Sequence, residues 1–330
     1  MKIGVVGCGA VGSFYGAKLC RAGHETHFLL RSDYEAVKAR GVRVLSPEGD
    51  FTARPRAATA PERIGPCDLA LIGLKTTANR RFAELLPPLV GPRTRILTLQ
   101  NGVGNEEALA RLFPPEQIFG GHCFVCLNRI APGVVRHMAH GRIILGEFRR
   151  PPGPQAEELA ATFRAAGVPC EVSPNLERAH WEKLVWNIPF NGLGVAGAAG
   201  YEQVLAGRLR PGQPLGECLS ADRLLADPRW FALLRELMCE VIDAARALGH
   251  LIPYEFAEEN IERTRCMGAY RASTLLDFER GLPLELEAMF LEPRRLAQAA
   301  GASTPRLDAL CAILTELDRR GQEAPPPKSC

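Results

Sequence analysis

Gly7-Cys8-Gly9-Ala10-Val11-Gly12 follows the apolar run Lys2-Ile3-Gly4-Val5-Val6 and opens a stretch, Val11–Ala22, whose apolar positions recur at three and four residues. A GxGxxG set between a strand and a helix leaves few alternatives. The first glycine makes a tight turn, the second lets backbone approach a pyrophosphate, and the third lets helix and strand pack closely. The amides of the helix N-terminus then hold the phosphates, so the motif predicts a dinucleotide-binding βαβ unit with Gly7, Cys8, Gly9, Ala10, Val11 and Gly12 at the cofactor.

The pattern continues in kind. Short apolar runs at Lys2–Gly7, Glu25–Leu30, Leu69–Leu74, Arg95–Leu99, Ile118–Val125 and Arg142–Phe148 alternate with helical stretches such as Val11–Ala22 and Thr77–Leu86. That alternation predicts a mainly parallel sheet. Pro132-Gly133 reads as a tight turn between two strands, so the sheet is expected to be mixed near one edge. A helix over Gln155–Ala166 and a strand over Pro169–Val172 complete this part.

Beyond about Leu176 the strand signal stops. Helical patterns cover Glu177–Val195, Pro228–Leu248, Tyr254–Thr264, Leu284–Ala300 and Pro305–Arg319, and the tail Gln322–Cys330, with Pro325-Pro326-Pro327, is expected to fray. The fold class is therefore an α/β nucleotide-binding domain, residues 1–174, followed by an all-α domain, residues 175–330. A length of 330 residues suits two cores.

Charge narrows the partners. With 40 basic and 37 acidic residues, a net charge of +3, there is no chain-wide field to gather nucleic acid or an acidic membrane. No apolar run is long enough to span a bilayer, and the N-terminus lacks the zones of a signal peptide, so a cytoplasmic location is expected. The eleven cysteines are irregularly spaced, which argues for reduced thiols. Cys123 and Cys126 form a lone CxxC, and His137 and His140 have no evident third ligand, so no metal site is expected.

The end of the second strand selects the nucleotide. An acid there would bind the ribose hydroxyls of NAD and repel the 2′-phosphate of NADP. Here the chain reads Phe28-Leu29-Leu30-Arg31-Ser32, in which Arg31 offers a charge-assisted fork to a phosphate. NADP(H) is the expected cofactor, and Asp33, two residues on, is the one contrary sign.

Other polar residues stand where a dinucleotide enzyme needs them. Lys75 follows the strand Leu69–Leu74, and Asn101 follows Ile96–Gln100; both are at strand ends, where open α/β sheets bind ligands. In Trp181-Glu182-Lys183-Leu184-Val185-Trp186-Asn187-Ile188-Pro189-Phe190-Asn191, the residues Lys183, Asn187 and Asn191 are spaced by four and share one helix face. Hydride delivery to a ketone builds charge on its oxygen, and a lysine there both neutralises that charge and supplies a proton.

The glycine turn, Lys75, Gln100-Asn101-Gly102, Lys183 with Asn187 and Asn191, and Ser273 with Glu285 together resemble the ketopantoate reductase family, in order and spacing, from Met1 to about Arg319. The resemblance implies a Rossmann domain followed by a helical domain of the 6-phosphogluconate dehydrogenase C-terminal-like kind. It further implies NADPH-dependent reduction of ketopantoate, a small 2-oxo acid, to (R)-pantoate on the way to coenzyme A. Carried over by position, Lys183 is the general acid, Asn101, Asn187, Asn191 and Ser273 hold substrate, Glu285 acts at the active site, and Lys75, Asn101 and Glu285 also border the cofactor.

Three features depart from the pattern. Pro189 lies between the two asparagines and is expected to turn Asn191 off the shared face. Gly194 stands where the family more often has Thr. Tyr201–Asp227, rich in glycine and proline, reads as a mobile cover or an insertion. A reductase of another branched 2-oxo acid and a nucleotide-sensing protein without chemistry stay open beside the main reading. So does a homodimer.

Overall fold

The computed structural model describes residues 1–323; the proline-rich end of the tail expected to fray lies outside the described residues. The chain divides into two compact units, Met1–Ala179 and His180–Cys330.

In the first unit the apolar runs pair into one ten-stranded sheet. In chain order the elements are β1 (Lys2–Val6), α1 (Ala10–Arg21), β2 (Glu25–Leu29), α2 (Tyr34–Arg40), β3 (Val42–Leu45), β4 (Phe51–Ala53), β5 (Arg56–Ala58), β6 (Cys67–Ile72), α3 (Phe82–Leu85), β7 (Val90–Thr98), α4 (Asn105–Ala110), β8 (Ile118–Ala131), β9 (Val134–Glu147), α5 (Pro154–Ala165) and β10 (Cys170–Val172). The spatial order is β4-β3-β9-β8-β7-β6-β1-β2-β5, with β10 also on β9. The β8–β9 and β3–β4 pairs are antiparallel and the rest parallel, so the mixed edge expected from Pro132-Gly133 is present.

Alternate residues of the central strands feed two separate cores. Val5, Leu71 and Leu97 join Phe14, Tyr15 and Phe28 in one, whereas Val6, Ile72 and Ile96 join Phe82 and Leu89 in the other. Burial on both faces explains why these strands read as continuous apolar runs. The chain leaves β1 for β2 on one side and returns to β6 on the other, so the glycine turn lies at a topological switch point.

Three sequence expectations need correction here. The short strands β3, β4 and β5 were not anticipated, because three or four residues hold too little period to register. The helix expected over Thr77–Leu86 is a 3₁₀ turn, Thr76–Arg81, followed by the short α3. Asn79 in that turn bonds Gln100 and Asn105, and Pro87 and Pro88 stop α3 at once. The strands β8 and β9 are also much longer than the runs that announced them.

The second unit is helical; every strand among the described residues precedes it. Helix α6 (Leu176–Ala196) is followed by α7 (Tyr201–Ala206), α8 (Ala221–Ala226), α9 (Pro228–Ala247), α10 (Glu255–Arg265), α11 (Ser273–Glu279), α12 (Glu292–Ala299) and α13 (Pro305–Glu323). The start of α9 shows how local chemistry sets a boundary. The Asp227 carboxylate accepts from the amides of Arg229 (2.8 Å) and Trp230 (3.3 Å), and Pro228 sits where a helix needs no amide donor. The stripe Leu233, Leu237, Val241 and Ala244 is then fully buried or nearly so. The helix expected over Leu284–Ala300 begins later, as a π turn over Glu287–Leu291 that passes into α12.

Tyr201–Asp227 is not wholly a mobile cover. It contains α7 and α8, and Val204, Ala221 and Leu224 are buried. The returning stretch is stitched to the end of α6 and the 3₁₀ turn after it by Leu219 N–H to Gly194 O (2.8 Å) and Gly216 N–H to Ala198 O (2.7 Å). A Cβ on Gly194 would lie 3.2 Å from the Leu219 carbonyl oxygen, so the glycine gives this stretch its room. Leu224, with no exposed surface, should cost about 2–5 kcal/mol when cut to Ala. Urea unfolding of Leu224→Ala measures this, and an unchanged midpoint would return the segment to the status of a cover.

Candidate functional site

The strand order aligns the candidate residues of the first unit. Arg31, the glycine turn, Lys75 and Asn101 follow the C-terminal ends of β2, β1, β6 and β7, four strands adjacent in that order. Residues from distant parts of the sequence thus border one crevice mouth at the switch point.

The glycine turn is fixed by backbone contact. Gly7 has φ +94°, and a Cβ there would lie 2.2 Å from the amide nitrogen of Leu74. A Cβ on Gly12 would lie 2.2 Å from the Gly7 carbonyl oxygen. Gly9 is different, since a Cβ there would meet nothing within 4 Å. The turn is packed against the chain leaving β6 at Gly7, against itself at Gly12, and open at Gly9, which is what a pyrophosphate lying against backbone requires. The first-turn amides of α1 have no acceptor within the helix, and no acidic side chain stands in that turn. Burial pushes the Cys8 thiol well above its usual range, and Cys8 enters the turn through its backbone, with its carbonyl accepting from Ser13 Oγ at 3.0 Å.

Arg31 and Lys75 are exposed and Asn101 is half-buried. An amide network joins the loops after β6 and β7. Gln100 Nε2 donates to Asn79 Oδ1 (2.7 Å), Asn79 Nδ2 to Asn105 Oδ1 (2.8 Å), and Asn105 Nδ2 to the Asn101 carbonyl (3.1 Å). Sequence reasoning gave Asn79 and Asn105 no part. They set the loop that carries Asn101, and their signal was only that neutral amides cluster at two strand ends.

Asp33 is resolved by geometry. It is the N-cap of α2, yet its side chain makes no cap bond. The carboxylate instead accepts from Arg129 Nε (2.8 Å) and a second Arg129 nitrogen, from the Gly133 amide (3.0 Å) and from Ser32 Oγ (3.0 Å). These bonds, those of Arg129 first, hold its carboxyl below the usual carboxylate range. It is 6% exposed, so the acid that stood as the contrary sign beside Arg31 is engaged within the fold.

In the second unit, α6 runs unbroken through Pro189. Proline removes the donor that the Val185 carbonyl would use, but the expected rotation of Asn191 away from Asn187 is not seen as a break in the helix. Asn187 is 5% and Asn191 2% exposed, and Lys183 is half-buried. On the neighbouring row Trp186 and Phe190 stack, 5.0 Å between ring centroids, and Trp186 Nε1 donates to Thr264 Oγ1 at 2.8 Å.

The two asparagines tie α6 to the segments that carry the remaining candidates. Asn191 Oδ1 accepts from Ser273 Oγ (3.3 Å) and from the Thr274 amide (3.1 Å), at the first turn of α11. Its carbonyl oxygen is therefore spent on structure, and the group it offers a ligand is its NH₂. Asn187 Nδ2 lies 3.8 Å from Met289 Sδ, inside the π turn. Glu285, half-buried, just precedes that turn and accepts through its carbonyl from Met289 N–H at 3.3 Å. Within this unit Asn191 is bonded to Ser273, Asn187 reaches Met289 on the chain that follows Glu285, and Lys183 lies one turn back along α6. π turns recur at functional sites.

Cys123 and Cys126 lie on β8, and no group of side chains able to hold a metal occurs among the described residues. No helix among them is long and apolar enough to cross a membrane.

Comparison with known proteins follows the same division. Residues 3–150 match the family described as "Ketopantoate reductase PanE/ApbA", and residues 175–318 match "Ketopantoate reductase PanE/ApbA C terminal". A 2-dehydropantoate 2-reductase of Nostoc sp. is 37% identical over 327 residues, covering 97% of this chain and 96% of that one. The crystal structure of 2-dehydropantoate 2-reductase from Geobacter metallireducens is 46% identical, covers 96% of this chain and 99% of its own, and superposes with a TM-score of 0.87. D-mandelate dehydrogenase, in a ternary structure with NADH and anilino(oxo)acetate, has a TM-score of 0.84 at 18% identity, a likeness of fold alone. Both halves of the sequence match in their proper order, and the chain belongs to the ketopantoate reductase family, whose members are NAD(P)-dependent oxidoreductases.

Proposed function

We propose that the chain reduces 2-dehydropantoate to (R)-pantoate with NADPH. The observation that carries this reading is the polar face of α6, where Asn187 and Asn191 are buried and bonded towards the segments of Glu285 and Ser273 while Lys183 stays accessible at the same spacing. A solvated stripe would not bury its amides.

When bound, the reduced nucleotide would supply the hydride for the substrate ketone. Lys183 then gives its proton to the ketone oxygen as charge builds there, and its positive charge steadies the oxyanion. Asn101, Asn187, Asn191 and Ser273 orient the carboxylate and hydroxyl of the substrate without adding charge. Glu285 receives the substrate hydroxyl or orients Lys183.

The choice of NADPH rests on Arg31 at the end of β2 and on the engagement of Asp33 elsewhere. The glycine turn, Lys75 and Asn101 complete the cofactor side. Arg31→Ala should lower NADPH affinity about 10- to 100-fold, the worth of a guanidinium–phosphate contact of roughly 1.5–3 kcal/mol, and leave NADH almost untouched. Initial rates with each nucleotide at saturating ketopantoate measure this. Equal use of both by the wild type would sink the NADPH assignment.

A further inference from the structure

The Asp33 carboxylate is an acid of the kind that selects NAD, placed two residues beyond an arginine of the kind that selects NADP. It lies at the N-terminus of α2, where capping would be its ordinary use, and it does not cap. Its acceptor capacity goes to the β8–β9 hairpin, through two nitrogens of Arg129 and the Gly133 amide, and to Ser32. The Asp33 charge is nonetheless felt at Cys8 of the glycine turn, where it adds to the rise of the thiol. Asp33 stands with Arg31 in the short turn between β2 and α2, at a strand end that borders the crevice mouth, and its carboxylate is held by the hairpin.

We propose that Arg129 determines nucleotide preference by tethering and neutralising Asp33, so that Arg31 meets a dinucleotide without a competing carboxylate beside it. Arg129 is a positioning residue: it acts through Asp33 and touches no cofactor atom. Four donors on one carboxylate leave it little to offer ribose hydroxyls, and the guanidinium cancels the charge that would repel a 2′-phosphate. Removing Arg129 frees Asp33 to do both.

The inference rests on the NADPH reading above, and direct titration separates the two. NADPH and NADH are titrated onto the purified full chain by quenching of tryptophan fluorescence, for the wild type, Arg129→Met, Arg129→Lys, Asp33→Asn and the double variant Arg129→Met/Asp33→Asn. The wild type should favour NADPH. Arg129→Met should lower the NADPH-to-NADH affinity ratio by about 10-fold or more, the scale of one charge-assisted contact. Arg129→Lys, which keeps the charge but not the fork, should fall between.

The double variant is decisive, since with the carboxylate gone Arg129 is dispensable and the ratio should return to that of Asp33→Asn. A hairpin merely destabilised by loss of Arg129 would weaken both nucleotides alike, and an arginine that itself binds phosphate would leave the double variant impaired. Either outcome overturns the proposal while a wild-type preference for NADPH stands. A wild type without that preference overturns both.

Discussion

Replacing Lys183 by Ala should lower turnover about 100- to 10,000-fold, the usual contribution of a positioned general acid, while NADPH binds as before. Lys183 stands on α6, half-buried, one turn before Asn187, and the helix runs on unbroken through Pro189. Lys183 is not among the residues proposed to hold the phosphates, so loss of the ammonium should leave nucleotide affinity alone. Asn187 and Asn191 keep their contacts with Met289 and Ser273 whatever stands at 183, so the helix should fold normally. Single-turnover rates with NADPH and ketopantoate, beside a nucleotide titration, separate chemistry from binding. A variant that turns over near the wild-type rate would transfer the proton to another group, and Lys75 would be the next to test.

Gly12→Ala should nearly abolish nucleotide binding and destabilise the first unit. The new Cβ would lie 2.2 Å from the Gly7 carbonyl oxygen and 3.1 Å from its carbonyl carbon, both backbone atoms of the turn itself. Neither can swing aside as a side chain would. Helix α1 must lift from β1, which costs about 1–3 kcal/mol or more as overpacking. The lift also displaces the α1 amides proposed to meet the phosphates, so nucleotide binding should fall with stability. Thermal unfolding and a fluorescence titration with NADPH measure the two effects. An unshifted melting temperature with normal binding would contradict this account of the turn. Gly9→Ala is the useful contrast, because its Cβ meets nothing within 4 Å and should leave stability unchanged.

The glycine turn was legible in the sequence because its constraints are local. The central strands were legible because burial on both faces writes long apolar runs. Short elements were not. β3 owes its existence to pairing with β9, as in Arg43 with Val134, and nothing in its four residues announces a partner so far along the chain. Helices α7, α8 and α11 are similarly too short to show a period and are held by contacts outside themselves, such as that of Asn191 with the first turn of α11.

The same limit shaped the reading of the site. Lys183, Asn187 and Asn191 share a local spacing and could be found by it. That Asn191 spends its carbonyl on Ser273 and Thr274 is a tertiary fact. So is the pairing of Asp33 with Arg129, 96 residues away, which turns an apparent objection to NADPH into a neutralised group.

The most direct test of the account compares kcat/KM for ketopantoate, with NADPH, against the same 2-oxo acid lacking only its terminal hydroxyl. Sites that hydrogen-bond a substrate hydroxyl reject the analogue without it by up to about 10⁴- to 10⁵-fold, because their buried polar groups are left unpaired. Discrimination of at least about 100-fold in favour of ketopantoate is the result expected if Asn187, Asn191, Ser273 and Glu285 bind the substrate as proposed. Equal use of the two acids would contradict the account and make the chain a reductase of another branched 2-oxo acid.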